Sequence, residues 1–200
     1  MMQIKLLHPV FFLVTLFCSC TEQRLKTLEQ SKKDTTATHA FFPVTEYIRG
    51  QLKELESLPV TPVKITTNNG VQDSVWLKKE NIRAFAEPFL HPEIDSSNFN
   101  HLFAEKSFFD QTINAYTFSY DPIDKLPDTL QLKRWDVYID PKKNTIKRIY
   151  MVKEINKNST PQTIQLTWKS NQWCKITTIT EMEGKPTDIK VVEMKWGFSE

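Results

Sequence analysis

Glycine is scarce in this 200-residue chain: there are four glycines, and they lie far apart at positions 50, 70, 184 and 197. Phosphate-binding loops need glycines clustered within a few residues, so this scarcity excludes nucleotide-binding enzymes of the dinucleotide and P-loop types. A strong charge of one sign is also lacking, because 26 basic side chains balance 24 acidic ones. The sequence therefore predicts no nucleic-acid partner, and none of its motifs predicts a cofactor.

Long hydrophobic runs are lacking as well. The apolar stretch at 10–17 is much shorter than the roughly 20 residues that a membrane-spanning helix needs. It follows Lys5 and ends at Cys18-Ser19-Cys20, an order of basic, apolar and small residues that is typical of a secretory signal. The ending Phe17-Cys18-Ser19-Cys20 resembles the lipobox of bacterial lipoproteins, in which a small residue precedes the cysteine that is acylated.

Cys20, with Ser19 before it, matches the acylated cysteine of that family. Phe17 stands where leucine is usual, and Cys18 stands where alanine or serine is usual. The resemblance implies a lipid on Cys20 that anchors the chain to the inner or outer membrane of a bacterial cell envelope. The domain would then lie in the periplasm or outside the cell. A secreted protein that is cleaved nearby and carries no lipid remains the alternative.

The residues after Cys20 are mostly polar up to position 40, where Leu25 and Leu28 are the large apolar residues. This composition predicts a flexible tether, which as a coil of about 20 residues would span about 25 Å. We therefore expect three parts: a signal peptide at 1–19, the lipidated cysteine and tether at 20–40, and a single globular domain at 41–200.

Cysteine usage after cleavage predicts a fold without disulfides. Cys20 would be bound to lipid, so Cys174 has no partner within the chain. Because Cys174 lies in a strand-like segment, we interpret it as a small buried apolar residue. A reactive or partner-linking thiol is the alternative.

Two helices and a hairpin are predicted in the first half of the domain. Ile48, Leu52 and Leu55 share one face of a helix that ends before Pro59, and a second helix over 82–89 is interrupted at Pro88. Segments 62–67 and 72–78 flank an Asn-Gly turn, which indicates a β-hairpin. A third short helix is predicted to bury three residues, Phe99, Leu102 and Phe103.

From residue 113 onward the apolar period changes from that of a helix to that of a strand. Six strand-like segments are joined by short polar turns, and they lie at 116–120, 130–139, 146–155, 163–169, 172–180 and 189–198. The sequence therefore predicts an α+β domain, with N-terminal helices and a β-hairpin followed by a six-stranded antiparallel meander.

Candidate sites for chemistry are few. His91, Glu93, Asp95 and His101 carry metal-ligating groups, but their spacing matches no metal site, and capping by Asp95 explains the stretch more simply. A thiol hydrolase would need Cys174 beside one of the histidines. The sequence contains neither G-x-S-x-G nor S-x-x-K, so no catalytic residue and no metal ligand is predicted.

Aromatic and basic residues recur along the predicted strands. The aromatic residues pack in a core or stack on a ligand, and they are Trp135, Tyr138, Tyr150, Trp168, Trp173 and Trp196. Alternation places Trp173 and Cys174 on opposite faces. The basic pairs are interpreted as solvated strand edges rather than a groove for a polyanion, and they are Lys133-Arg134, Lys142-Lys143 and Lys147-Arg148.

Three functions remain open at the level of sequence. The first is a non-catalytic accessory or assembly lipoprotein that binds another envelope protein. The second is a carrier that encloses a lipid or another apolar ligand between sheet and helices, similar in general design to the half-barrel lipoprotein chaperones. The third is a hydrolase or metal-dependent enzyme that uses His91, His101 or Cys174. They predict an exposed apolar patch, an enclosed apolar cavity and a polar catalytic cleft, respectively.

Overall fold

The structure, a computed structural model, describes residues 40–157 and 160–197. These residues form two α-helices and nine β-strands, which confirms the predicted α+β class. The helices are α1 (Val44–Ser57) and α2 (Ile82–Leu90), and a 3-10 turn (Lys79–Asn81) precedes α2. The strands are β1 (Val63–Asn68), β2 (Val71–Trp76), β3 (Phe103–Asp110), β4 (Ala115–Pro122), β5 (Leu132–Ile139), β6 (Ile146–Lys157), β7 (Thr160–Lys169), β8 (Trp173–Thr180) and β9 (Asp188–Lys195).

All nine strands belong to one antiparallel sheet with the order β2-β1-β9-β8-β7-β6-β5-β4-β3. Strands β3 to β9 follow one another as a meander, and the β1–β2 hairpin extends the sheet because β1 pairs with β9. Strands β2 and β3 are therefore the two edges. Every residue of β2 is exposed, including Val71 at 76% and Trp76 at 69%.

The prediction of six meander strands is wrong, because the meander has seven. The segment predicted as a third helix forms a turn that leads into β3, and β3 pairs with β4 from Phe103–Pro122 to Asp110–Ala115. The spacing of Phe99 and Phe103 predicted that both would be buried on one face of a helix. Both rings instead contact Trp135 from a turn and the start of β3, at centroid distances of 6.3 and 4.8 Å. Pairing with β4 gives the backbone of this segment the hydrogen bonds that a helix would otherwise have supplied.

The hairpin turns place asparagine where the backbone turns left-handed. Asn69, Asn114, Asn144 and Asn171 have φ between 48° and 59°, a region that asparagine tolerates better than most residues. Three of these turns are at predicted positions. The fourth, at Asn114, closes the hairpin between β3 and β4.

The helices cover one face of the sheet. Ile48, Leu52 and Leu55 of α1 are fully buried, as predicted, and Phe89 of α2 packs edge-on against Trp168 of β7 at 5.3 Å. The strand residues on this face include the fully buried side chains of Tyr120, Trp135, Ile149, Met151, Leu166, Trp168, Cys174 and Met194. Tyr120 and Trp135 stack face to face, with centroids 4.6 Å apart.

One buried charge joins helix α2 to the sheet. Lys153 of β6 is 4% exposed, and its Nζ donates hydrogen bonds to the carbonyl oxygens of Pro88 and His91. These carbonyls lie at the C-terminal end of α2, where helix carbonyls lack partners of their own and a cation is favoured. Burial lowers the pKa of Lys153 to about 8.

The opposite side of the sheet, here named the open face, consists of the residues that alternate with the core residues. On β5 these are Arg134, Asp136 and Tyr138. Both described helices pack on the other face, so neither of them covers the open face.

Candidate functional site

A single row of paired residues crosses the open face from one edge of the sheet to the other. Aromatic and basic side chains dominate it, and in strand order it consists of Trp76, Val63, Lys195, Trp173, Lys169, Arg148, Tyr138, Thr117 and Phe108. Strand pairing, and not proximity in the sequence, brings these residues together. The row thus collects residues from between positions 63 and 195.

Two adjoining cavities lie at the centre of this row. The larger has a volume of about 430 Å³ and is lined by Arg134, Asp136, Tyr138, Arg148, Tyr150, Gln165, Thr167, Lys175 and Thr177. The smaller, of about 240 Å³, is lined by Ile113, Ala115, Tyr138, Lys147, Arg148, Lys169 and Trp173. Both share Tyr138 and Arg148, so we treat them as one site, the open-face groove. Five basic side chains and one acidic side chain line it.

The acidic side chain holds one of the basic ones in place. Nη2 of Arg134 donates to both carboxylate oxygens of Asp136, at 3.0 and 3.3 Å, and the Tyr138 hydroxyl donates to Oδ2 at 3.3 Å. Asp136 is 4% exposed. The hydrogen bond to Asp136 raises the pKa of Arg134, so this guanidinium stays charged. Burial, followed by the charge of Asp136, raises the pKa of Tyr138, which therefore remains a hydroxyl donor at neutral pH.

Aromatic rings position the other cations of the groove. The guanidinium of Arg148 lies 4.1 Å from the centroid of the Tyr138 ring. The ammonium groups of Lys175 and Lys169 lie 5.4 and 6.0 Å from the centroid of Trp173. Cation–π contacts of this kind orient a charged group without neutralising it. The groove therefore contains several oriented positive charges, and the rings of Tyr138 and Trp173 already contact these cations.

A third cavity lies at the other end of β6 and β7 and has the opposite charge balance. It measures about 410 Å³ and is lined by Asp128, Lys133, Glu154, Ile155, Asn156, Pro161, Gln162, Thr163, Ile179 and Glu181. Three acidic side chains face one basic side chain there. A ligand with negative charge would accordingly favour the open-face groove over this end of the sheet.

Aromatic side chains pack against one another between the sheet and the helices. Phe41, Tyr120, Trp135 and Phe103 form a continuous set of ring contacts with centroids 4.6 to 5.9 Å apart. Phe89, Trp168 and Trp196 extend the packing toward β9. These contacts are those of a close-packed core.

The residues considered for a metal site do not converge. His91 pairs with Glu87 at 2.9 Å, and Glu93 pairs with Arg49 at 2.6 Å. Asp95 accepts hydrogen bonds from the backbone N–H groups of Ser97 and Asn98, which lower its pKa. His101 is exposed in the following turn. Within 40–157 and 160–197, no three histidine, cysteine, aspartate or glutamate side chains lie close enough together to hold a metal ion.

Cys174 lies in the core, as predicted, and Trp173 lies on the open face. Burial, followed by the charge of Glu193, raises the pKa of the Cys174 thiol well above its usual value. The six aromatic residues considered as core or ligand-facing divide equally. Trp135, Trp168 and Trp196 are buried in the core, whereas Tyr138, Tyr150 and Trp173 line the groove.

Arg134 and Arg148 are functional candidates that the sequence interpretation missed. They were assigned to solvated strand edges, but β5 and β6 lie well inside the sheet. Alternation contained the necessary signal, because Arg134, Asp136 and Tyr138 are out of phase with the apolar Trp135 and Val137. The sequence does not show the strand pairing that places Lys169 directly opposite Arg148.

Cys20, the predicted signal peptide and the predicted tether up to residue 39 lie outside the described residues. Neither α1 nor α2, the helices of the described part, is long and apolar enough to cross a membrane. Comparison of the chain with protein-family models, with curated proteins and with solved structures finds no significant match. The geometry of the open-face groove is therefore the basis for a functional proposal.

Proposed function

We propose that this chain is a non-catalytic lipoprotein, anchored to the cell envelope through Cys20, that binds another envelope protein through the open face of its sheet. The observation that carries the proposal is the composition of the open-face groove. Arginine, tyrosine and tryptophan are the residues that most often dominate the binding energy of protein interfaces. Arg134, Arg148, Tyr138, Tyr150 and Trp173 all line this groove.

The way in which these side chains are held also favours binding over catalysis. Arg134 is hydrogen-bonded to Asp136, and Arg148 lies over Tyr138. Such contacts fix rotamers before a partner arrives, which lowers the entropy lost on association. The hydrogen bond to Asp136 raises the pKa of Arg134, so this guanidinium is a permanent charge, whereas a general acid or base needs a pKa near the working pH.

Site-specific photo-crosslinking in intact cells tests the proposal. A photoreactive amino acid is placed at Gln165, on the floor of the groove, and in a matched variant at Lys53, on the exposed side of α1. We expect one discrete protein adduct from position 165 and none from position 53. Absence of an adduct at 165, or the same adducts from both positions, would overturn the proposal.

The anchor is tested separately by labelling cells with a palmitate analogue. We expect the label on the wild-type chain and its loss, together with release from the membrane fraction, in Cys20→Ala. A Cys20→Ala chain that stays membrane-bound would contradict the anchoring at this residue.

A further inference from the structure

The smaller of the two open-face cavities contains two cations that have no acidic partner in the described part of the chain. This cavity, here named the Arg148 pocket, has a volume of about 240 Å³, and Arg148 and Lys169 both line it. We propose that the Arg148 pocket binds a carboxylate that is attached to an apolar group. The carboxylate belongs either to the C-terminal residue of a protein partner or to a free apolar acid. The inference therefore goes beyond the proposed function and does not depend on it.

The placement of Arg148 and Lys169 leaves their charges unbalanced. The two residues lie directly opposite each other on β6 and β7, and like charges in this position destabilise a sheet. Within the residues that the structure describes, no carboxylate forms an ion pair with either of them. By contrast Lys195, the next cation along the same row, is paired with Glu193 at 3.3 Å. An anion bound between Arg148 and Lys169 would relieve the repulsion between them.

The other charged groups of the groove beside these two cations already have partners. Lys147 also lines the Arg148 pocket, but its Nζ donates hydrogen bonds to the carbonyl oxygens of Ile113 and Asn114, at 3.0 and 3.4 Å. Asp136 lines the larger cavity, where it accepts hydrogen bonds from Arg134. The two opposed cations are therefore the groups of the pocket that remain for a ligand.

The remaining walls of the pocket favour an apolar group beside the charge. Ile113, Ala115 and the ring of Trp173 contribute to these walls. Placing the second charge of a phosphate against such side chains would be costly, whereas a carboxylate has a single charge. The volume is below the roughly 300–1,000 Å³ of sites that enclose a drug-sized ligand, so the pocket fits a small molecule or one residue of a chain.

Arg148 supplies the donor geometry that suits a carboxylate. Its guanidinium is oriented by Tyr138, whose ring centroid lies 4.1 Å away. A planar guanidinium can donate two parallel hydrogen bonds to one carboxylate, and these charge-assisted bonds are stronger than neutral ones. The ammonium group of Lys169 adds a second positive charge from the neighbouring strand. The pair thus offers both directed hydrogen bonds and charge to a single carboxylate.

Titration of the full-length chain in a non-ionic detergent with small compounds tests the inference. N-acetyl-leucine represents a C-terminal residue, 4-methylpentanoate represents a free apolar acid, and the amide of each has a similar shape without the charge. Inorganic phosphate represents the other class of anion. We expect at least one acid to bind saturably, and at least tenfold more tightly than its amide and than phosphate. The acid that binds more tightly identifies the source of the carboxylate.

Three variants locate the binding site. Arg148→Gln and Lys169→Gln each remove one of the opposed cations, and Lys190→Gln removes an exposed lysine outside the pocket. We expect each pocket variant to bind the acid at least tenfold more weakly, because one partner of a charge pair is lost, and Lys190→Gln to bind like the wild type. Thermal unfolding of each variant checks that it is folded. Should one pocket variant unfold early, the other decides the outcome.

Four results would each overturn the inference: equal binding of an acid and its amide, tighter binding of phosphate, an equal loss in Lys190→Gln, or no saturable binding of either acid at millimolar concentration. A crosslinked protein partner at Gln165 combined with any of these results would leave the proposed function in place and remove the carboxylate site. Saturable binding of an acid without a crosslink would leave the carboxylate site in place and remove the proposed function.

Discussion

The helix-covered face and the open face of the sheet each contain one buried charged side chain, Lys153 and Asp136, and the two are satisfied in different ways. Lys153 donates to backbone carbonyls at the end of α2, so its partners belong to the fold. Asp136 accepts from Arg134 and Tyr138, whose side chains line the groove. On the covered face, the buried Lys153 binds the C-terminal end of α2. On the open face, the buried Asp136 orients the side chains of Arg134 and Tyr138.

The aromatic residues show the same division. Trp135 has ring contacts on several sides, among them the stacked Tyr120 and the edge of Phe103. Trp173 instead has two lysine ammonium groups near its ring and remains partly exposed. Similar residue types thus fill the core on one face and lie beside cations on the other.

The largest expected effect is on the covered face. We expect Trp135→Ala to lower the free energy of unfolding by about 3–5 kcal/mol, because it removes a large, fully buried side chain and leaves a cavity. The matched change Trp173→Ala on the open face should cost at most about 1 kcal/mol, as is usual for partly exposed positions. Urea unfolding of both variants measures the difference. Equal losses would show that the open face is part of the core.

A smaller effect is expected from the pH dependence that Lys153 creates. Its pKa is about 8 in the folded chain and about 10.5 when unfolded, so between these values Lys153 binds more protons in the unfolded state and its contribution to stability rises with pH. From pH 8 to 9.5 this contribution amounts to about 1.6 kcal/mol, because the slope is about half of its full value of roughly 1.4 kcal/mol per pH unit at pH 8. Relative to the wild type, Lys153→Met should lack this contribution, and Lys190→Met, at an exposed site, should retain it.

The measurement for Lys153 is urea unfolding across this pH range. The wild type is compared with Lys153→Met at each pH, because other buried groups oppose the rise in both chains. Burial raises the pKa of the Cys174 thiol and of Tyr47, Tyr120, Tyr138 and Tyr150, so these groups ionise first in the unfolded chain. A slope in Lys153→Met equal to that of the wild type would contradict the assignment.

The smallest change in stability is expected at Asp136. The change Asp136→Asn removes the negative charge to which Arg134 and Tyr138 donate hydrogen bonds. We expect it to lower the free energy of unfolding by about 1 kcal/mol. Asp121 is more exposed and lies 3.3 Å from Lys106 and 3.8 Å from Arg134. It provides the control Asp121→Asn, for which we expect a loss of about 0.5 kcal/mol or less. Chemical unfolding at pH 7 compares the two. A larger loss at Asp121 than at Asp136 would contradict the importance assigned to the buried carboxylate.

Much of the fold could be predicted because strand alternation and turn chemistry are local. Leu166 and Trp168 are buried as their spacing indicates, and the turns at Asn69, Asn144 and Asn171 lie where asparagine and its neighbours predicted them. Strand β3 was missed because the helical spacing of Phe99 and Phe103 also fits a turn followed by a strand. Pairing with β4 favours the strand over the helix, and this pairing depends on residues that lie outside the segment itself.

The candidate site was less predictable than the fold for the same reason. The phase of Arg134 and Tyr138 on one strand can be read from the sequence, and so can that of Trp173 relative to Cys174. Their assembly into one groove depends on the register of β5 to β8, which sets Tyr138 beside Arg148 and Lys169 beside Trp173. The overall composition is balanced in charge, but it does not show that the basic side chains are concentrated on one part of the surface.

Strand β2, at the edge of the sheet, has a further consequence for the behaviour of the protein in solution. Val71, Val75 and Trp76 are all more than half exposed, so the strand is a template to which another chain could add. Asp73 lies near its middle, and a two-fold antiparallel pairing of two such strands would bring two carboxylates close together. This single negative charge disfavours self-association along β2 and is the residue whose loss would most promote aggregation there.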